Sequence, residues 1–195
     1  MQIKNLKLKT RPGFTLPDLM VSISIIVLLT LTAVMSFIRA EKGQNLINSA
    51  EVLASQIRAI ENLSLAGKEV NGVVPLGGYG IQLAKPAGND VTYIFFADMN
   101  RDLVYNINLP ETPPPPLNLA DVIITLKNSQ PLKKNVFISH VIIDYGNNNV
   151  VTDPAVVNVL FKTPIAKVYV DGQSNIGSVS IVLEHREIGD TKTIK

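Results

Sequence analysis

A continuous apolar segment near the start of the chain restricts what this protein can fold into more than any other feature. Leu19 to Ile38 is a run of twenty residues without a charge, built almost entirely from Leu, Ile, Val, Met, Ala, Ser and Thr. At about 1.5 Å rise per residue, a helix of this length spans the hydrocarbon core of a bilayer, which is roughly 30 Å thick. A helix in a soluble domain needs a polar face, so the run predicts a membrane-spanning helix.

The residues just before this segment are positively charged. Residues 1–13 carry four cations and no acid, and they end in Gly13. The positive-inside rule therefore keeps this end in the cytoplasm and exports the chain that follows the helix. One acid, Asp18, lies near the start of the apolar segment. A lone carboxylate there is expensive to bury, so we interpret it as functional.

These residues together resemble the start of type IV pilin precursors. The matching features are the basic leader, the string Gly13-Phe14-Thr15-Leu16, and the early acid Asp18 in an apolar helix. A secretory signal would instead place its cleavage site after the apolar core. The resemblance implies cleavage between Gly13 and Phe14 by a prepilin peptidase, N-methylation of Phe14, and filament assembly that depends on Asp18. The family usually carries Glu where this chain has Asp18, which is one methylene shorter.

The helix is predicted to continue well beyond the apolar run. An apolar stripe with spacings of three and four residues follows it, while polar residues such as Gln56 fall elsewhere on the helix. The stripe consists of Leu46, Ala50, Leu53, Ile57 and Ile60. We therefore divide the chain into a leader at 1–13, one helix at 14–65 whose part at 14–38 serves membrane insertion and assembly, and a β-rich globular head at 66–195.

The head has the pattern of a small antiparallel β domain. Short runs of β-branched residues alternate with turn residues, and strands this closely spaced favour antiparallel pairing, because a parallel crossover needs a dozen or more residues. The predicted strands are 79–83, 91–96, 122–127, 135–143, 157–162, 167–171, 178–184 and 191–194. Only the apolar stripe is available to cover the sheet. The fold class is therefore α+β: a long N-terminal helix, membrane-spanning in its first half and amphipathic in its second, packed on an antiparallel sheet.

Several other features restrict the chemistry. Without the four leader cations the chain has 14 basic and 16 acidic residues, so the exported part has a formal charge of −2 and bulk DNA binding is not favoured. The basic residues near the C-terminus, from His185 to Lys195, alternate with acids and predict a solvated, charge-mixed hairpin. The chain has no cysteine, which excludes a disulfide and thiol catalysis. The prolines at 113–116 predict a stiff surface loop.

One segment has the beginning of a calcium-binding pattern. Asp98, Asn100 and Asp102 place oxygen-bearing side chains at alternate positions, as the first ligands of a Ca²⁺ loop do. However, Leu103 occupies the position where such loops need Gly, and Leu109 the position of the closing Glu. The alternative is an Asx-rich turn without a metal. No other cofactor is indicated, and neither histidine has a metal-ligand partner at close spacing.

The resemblance extends, more weakly, to the closing hairpins of minor pilins and class H pseudopilins of type II secretion. It implies a structural, non-enzymatic and minor subunit of a type IV pilus or secretion pseudopilus. The implied partners are the prepilin peptidase, other pilin or pseudopilin subunits, the inner-membrane assembly platform and the lipid bilayer. The implied location is the cytoplasmic membrane, with a cytoplasmic N-terminus, and then an extracytoplasmic filament. The alternatives are a filament-displayed binding module for DNA or surfaces, and a plain signal-anchored extracytoplasmic protein.

Overall fold

The computed structural model describes residues 13, 15–85, 90–105, 122–124, 132–146, 149–165, 167–174 and 176–195, and in this part of the chain one helix precedes nine strands. The helix α1 spans Leu16–Leu65. The strands are β1 Gly78–Ala84, β2 Thr92–Asp98, β3 Val122–Ile123, β4 Val136–Asp144, β5 Val150–Thr152, β6 Val156–Lys162, β7 Lys167–Val170, β8 Ser178–His185 and β9 Thr191–Ile194. All the strand pairs are antiparallel, which confirms the predicted α+β class.

The contacts within the chain divide it into two compact units, Met1–Glu41 and Lys42–Lys195. In the first unit, the large apolar residues of α1 from Leu16 to Ile38 are between 46% and 76% exposed. By length and composition, α1 could cross a membrane. An exposed apolar surface of this extent is unfavourable in water, so it requires lipid or other protein as its surroundings.

In the second unit, α1 becomes part of a hydrophobic core. Leu46, Ala50, Leu53 and Ile60 are buried, and Ile57 packs against them, so the predicted stripe is confirmed. The placement of Gln56 on the polar side was wrong, because this residue is only 6% exposed. The buried face of α1 also includes Ser49 and Ser64.

The strands form two sheets, although the sequence pattern suggested one. The first sheet has the order β3-β2-β1-β6-β7, and the second has the order β5-β4-β8-β9. In chain order the strands change sheet three times: β4 starts the second sheet, β6 returns to pair with β1, and β8 returns to pair with β4. Residues of α1 and of both sheets form one hydrophobic core. It includes Leu53 of α1, Ile81 of the first sheet and Ile181 of the second.

The central strands of the first sheet are buried on both faces. One face contributes to the core that includes α1, and the other contains a second, smaller cluster of Phe96, Leu160 and Tyr105. Tyr105 follows β2 and Leu103 packs against the same cluster, so these two residues cover part of the second face. The double burial explains why β6 is a nearly continuous buried run from Val157 to Phe161 instead of an alternating one.

Most strand predictions match the structure within one or two residues. The strand β5 was not predicted, since it is only three residues long and follows a turn-rich stretch. The end of the strand predicted at 122–127 and the proline-rich loop at 113–116 lie outside the described residues.

Candidate functional sites

The first turn of α1 is closed by a side-chain cap. Thr15 precedes the helix, and both its backbone N–H and its hydroxyl donate to Oδ2 of Asp18, at 3.3 Å and 2.7 Å. This is one half of a capping box, in which the third helical residue accepts from the residue at the N-cap. The carboxylate also lies at the positive end of the helix dipole. Asp18 therefore stabilises the start of α1 within one chain and is exposed.

The proposed cleavage position precedes this cap. Gly13 is exposed, and a Cβ added to it would meet nothing within 4 Å. Among the described residues, none is packed closely enough to require glycine at this position. Phe14, the residue after the predicted cleavage, lies outside the described residues.

The segment after β2 is an Asx-rich turn. Asp98 is fully buried and accepts backbone N–H groups of Arg101 (2.6 Å) and Leu103 (2.9 Å). Asn100 accepts the N–H of Asp102 (3.0 Å) and donates its amide to that carboxylate (3.1 Å). The three oxygen-bearing side chains thus bind the turn's own polar groups, as in the turn alternative. Among the described residues, no group of three or more His, Cys, Asp or Glu side chains is arranged to hold a metal ion.

Asp98 is held in a closely packed environment. Burial raises the pKa of Asp98, and the backbone hydrogen bonds from Leu103 and Arg101 oppose this shift. A Cβ at Gly77 would lie 2.0 Å from Oδ2 of Asp98, so the carboxylate occupies space that only glycine leaves open. This packing fixes the turn at the end of β2 against the beginning of β1.

A polar cluster that the sequence analysis missed joins the two sheets. Oδ2 of Asp153 lies 2.8 Å from Nδ1 of His140 on β4 and 3.0 Å from Nζ of Lys85, just after β1. Its Oδ1 accepts the N–H of Val141 at 3.0 Å. Burial alone would raise the pKa of Asp153, but the hydrogen bonds from His140, Val141 and Lys85 outweigh it and lower the pKa. The three side chains are far apart in sequence, and only the Asp153-Pro154 pair marks a turn.

A second polar cluster connects the β8–β9 turn to Lys42 of α1, the first residue of the second unit. Glu187 forms an ion pair with Lys42 and accepts a hydrogen bond from Asn135 at 2.7 Å. The hydrogen bond and charge of Lys42 lower the pKa of Glu187. Arg186 pairs with Asp90 on the surface. His185 is only 2% exposed and its Nδ1 accepts the N–H of Glu187 at 3.3 Å, so this residue is an exception to the predicted solvated, charge-mixed hairpin.

Comparison with known proteins does not assign this arrangement to a family. Searches against known protein families, curated proteins and solved structures find no match to this chain.

Proposed function

We propose that this protein is a type IV pilin-like subunit of a pilus or a secretion pseudopilus, with a structural and not a catalytic role. The leader at 1–13 is removed, and the apolar first part of α1 remains in the cytoplasmic membrane until assembly. The second unit, Lys42–Lys195, contains the exported head. The partners are a prepilin peptidase, the membrane assembly platform and other pilin or pseudopilin subunits.

The observation that carries this proposal is the change of surroundings along one helix. From Leu16 to Ile38 the apolar residues of α1 are exposed, and from Leu46 to Ser64 one face of the same helix is buried in the core of the head. A plain membrane anchor does not need its helix to continue into the domain that it anchors. A subunit that assembles through its helix does, because the helix must transmit its position to the head.

Two features at the start of α1 support the same function. Gly13 is exposed at the end of the basic leader, where a peptidase has access to it. The carboxylate of Asp18 is exposed at the end of an otherwise apolar segment, where an assembly partner with a positive charge has access to it.

The test is the processing of the full chain in a host that has a prepilin peptidase. Mass spectrometry of the mature protein should find Phe14 as its first residue, with a methyl group on the new amine. Gly13→Phe should leave the precursor uncut, because a bulky side chain blocks the peptidase. Gly43→Ala is the matched control, since it changes another glycine with open space around it and should leave cleavage unchanged.

A wild-type protein that begins at Met1, or near Ala40, would contradict the proposal. The first result would indicate an uncleaved signal anchor, and the second would indicate a secretory signal.

A further inference from the structure

A tight turn lies between the end of α1 and the start of β1. Val70 and Val73 exchange backbone hydrogen bonds at 2.8 Å and 3.1 Å, as the ends of a two-residue hairpin loop do. The two residues between them are Asn71 and Gly72, and both have a positive φ, 54° and 79°. This is the backbone of a type I′ turn, for which Asn-Gly is a preferred pair.

A second turn has the same backbone conformation, with an acid in place of the amide. Asp171 and Gly172 have φ values of 46° and 78°. Val170 and Gln173, on either side of them, exchange backbone hydrogen bonds at 2.8 Å and 2.9 Å. The sequence contains one Asn-Gly pair and one Asp-Gly pair, so the two turns can be compared directly.

The side chains in the two turns differ in their hydrogen bonds. Oδ1 of Asp171 accepts the backbone N–H of Asn158 at 2.9 Å and the side-chain amide of the same residue at 3.1 Å. Asn71 is exposed, and in the part of the chain that the structure describes its side-chain amide has no hydrogen-bond partner. A Cβ added to Gly72 would meet nothing within 4 Å. The amide of Asn71 and the backbone that follows it are therefore open to water.

We infer that Asn71 is a site of spontaneous covalent modification, at which the side-chain amide is lost through a cyclic imide formed with Gly72. Hydroxide takes the proton from the backbone nitrogen of Gly72, and this nitrogen attacks Cγ of Asn71. The new N–Cγ bond closes a five-membered ring, the Cγ–Nδ2 bond breaks, and Nδ2 takes a proton from water and leaves as ammonia. Glycine favours the attack because no side chain shields its nitrogen.

Water then opens the imide in one of two ways. Attack at Cγ gives aspartate, and attack at the backbone carbonyl carbon gives isoaspartate, in which the main chain passes through the former side chain. The reaction needs only water and hydroxide. It therefore goes beyond the proposed function and does not depend on it.

The two products have different consequences for the turn. Aspartate tolerates the left-handed conformation as asparagine does, so it should retain the turn and add a negative charge. Isoaspartate adds a methylene to the main chain, so Val70 and Val73 should lose their paired hydrogen bonds. Since Val70 packs against the core, we expect the isoaspartate form to unfold at a lower temperature.

Incubation of the full chain in detergent, in mildly alkaline water labelled with a heavy oxygen isotope, tests this inference. Each imide that is opened during the incubation places a labelled oxygen in the product, and tandem mass spectrometry of the digested protein locates it. The folded protein should acquire the label at Asn71 and not at Asp171, whose carboxylate is held by Asn158. After unfolding in urea both positions should acquire it, because the hydrogen bonds of Asp171 are lost.

Asn71→Gln is the matched control. It keeps an amide at this position, but its extra methylene would require a six-membered ring, which closes much more slowly. This variant should remain unlabelled there. After the same incubation, the wild type should have a lower melting temperature than Asn71→Gln.

Two results would overturn the inference. If Asn71 is labelled in the unfolded chain but not in the folded protein, the turn blocks the attack. If Asn71 and Asp171 are labelled equally in the folded protein, the free amide of Asn71 does not select the site of modification.

Discussion

Asp18 and Asp153 both accept hydrogen bonds, but they differ in where the donors come from. Asp18 is exposed and, among the described residues, its side chain accepts hydrogen bonds from Thr15, three residues before it. Asp153 accepts bonds from groups that are brought to it by two different sheets. The first carboxylate therefore remains available to an external partner, whereas the second is fully used within the fold.

At Asp18 we predict a specific effect on assembly. After cleavage, Phe14 has a free amine whose unperturbed pKa lies near 8, so it is cationic at neutral pH. An unpaired carboxylate in a packed helix bundle costs several kcal/mol, so Asp18 should pair with the amine of its own or the adjacent subunit. Asp18→Ala should leave processing and membrane insertion intact and lower incorporation into filaments.

The quantity to measure is each variant's amount in sheared filaments relative to its membrane pool. Asp18→Glu should be tolerated, because the longer side chain still reaches the amine. Asp18→Arg should be worse than alanine, because it brings like charges together. Equal incorporation of the wild type and of the alanine and arginine variants would show that the acid has no assembly role.

At Asp153 we predict a dependence of stability on pH. Its pKa is lower in the folded protein than the ordinary value of 3.8, so its ionised form stabilises the fold above that pH. This contribution is lost as the pH falls through the folded pKa. Asp153→Asn should therefore lower the free energy of unfolding by about 1.5–3 kcal/mol at neutral pH, the range for hydrogen bonds to a charged group, and the difference from wild type should shrink below about pH 4.

Denaturant unfolding of the full chain in detergent, repeated between pH 7 and pH 3, measures this difference. Asp90→Asn is the control, because its ion pair with Arg186 is on the surface, with side chains 49% and 59% exposed, and is expected to contribute at most about 1 kcal/mol. If the difference in the free energy of unfolding between Asp153→Asn and wild type is constant from pH 7 to pH 3, the pKa of Asp153 does not change on folding.

At the scale of the element, α1 is attached to the head by both apolar and polar contacts. Leu53 and Ile60 are fully buried. The hydroxyl of Ser64 donates to the carbonyl of Phe161 at 2.6 Å, and that of Ser49 accepts the N–H of Lys133 at 3.1 Å. The serines thus satisfy backbone groups of β6 and of the segment before β4 that the helix would otherwise bury.

We predict that Leu53→Asp unfolds the head, since it removes a fully buried side chain and introduces an unpaired charge. Leu53→Ala should lower the free energy of unfolding by about 2–5 kcal/mol. In Leu53→Asp the desolvation of the buried charge adds a further cost. Thermal unfolding followed by circular dichroism is the measurement. Ile47→Asp, on the exposed side of the same helix (39% exposed), should have a melting temperature close to that of the wild type. Similar melting temperatures for both variants would contradict the packing of α1 on the sheets.

At the scale of the whole molecule, the boundary between the two compact units lies between Glu41 and Lys42. The contacts that hold the second unit begin with the Lys42–Glu187 ion pair and the burial of Leu46. The exposed apolar residues, in contrast, are concentrated before this boundary. The residues that form the core of the head and the apolar residues that could cross a membrane therefore lie in separate parts of the chain.

This separation predicts that a fragment without residues 1–40 is a soluble, folded monomer. It retains every residue of the second unit and loses the apolar run. Analytical ultracentrifugation should give the monomer mass, and its melting temperature should match that of the head in the full chain. A fragment that aggregates or lacks a cooperative transition would show that the head needs the first half of α1.

The sequence alone determined the features that depend on local pattern. The apolar run, the stripe from Leu46 to Ile60 and most of the strands were predicted, because hydrophobic periodicity records which face of an element is buried. The choice between the two interpretations of Asp98, Asn100 and Asp102 was left open. It required the directions of the side-chain oxygens, which a spacing pattern does not contain.

Only the tertiary structure decided how distant residues meet. The division into two sheets depends on β6 returning to β1 and β8 returning to β4, and strand partners are not encoded in the alternation of any single strand. The cluster of Lys85, His140 and Asp153 and the burial of His185 on β8 follow from that pairing, and the burial of Gln56 follows from the packing of α1 in the core. The physical reason is that burial of a polar side chain is favourable only when the fold supplies its hydrogen-bond partners, and those partners are fixed by long-range contacts.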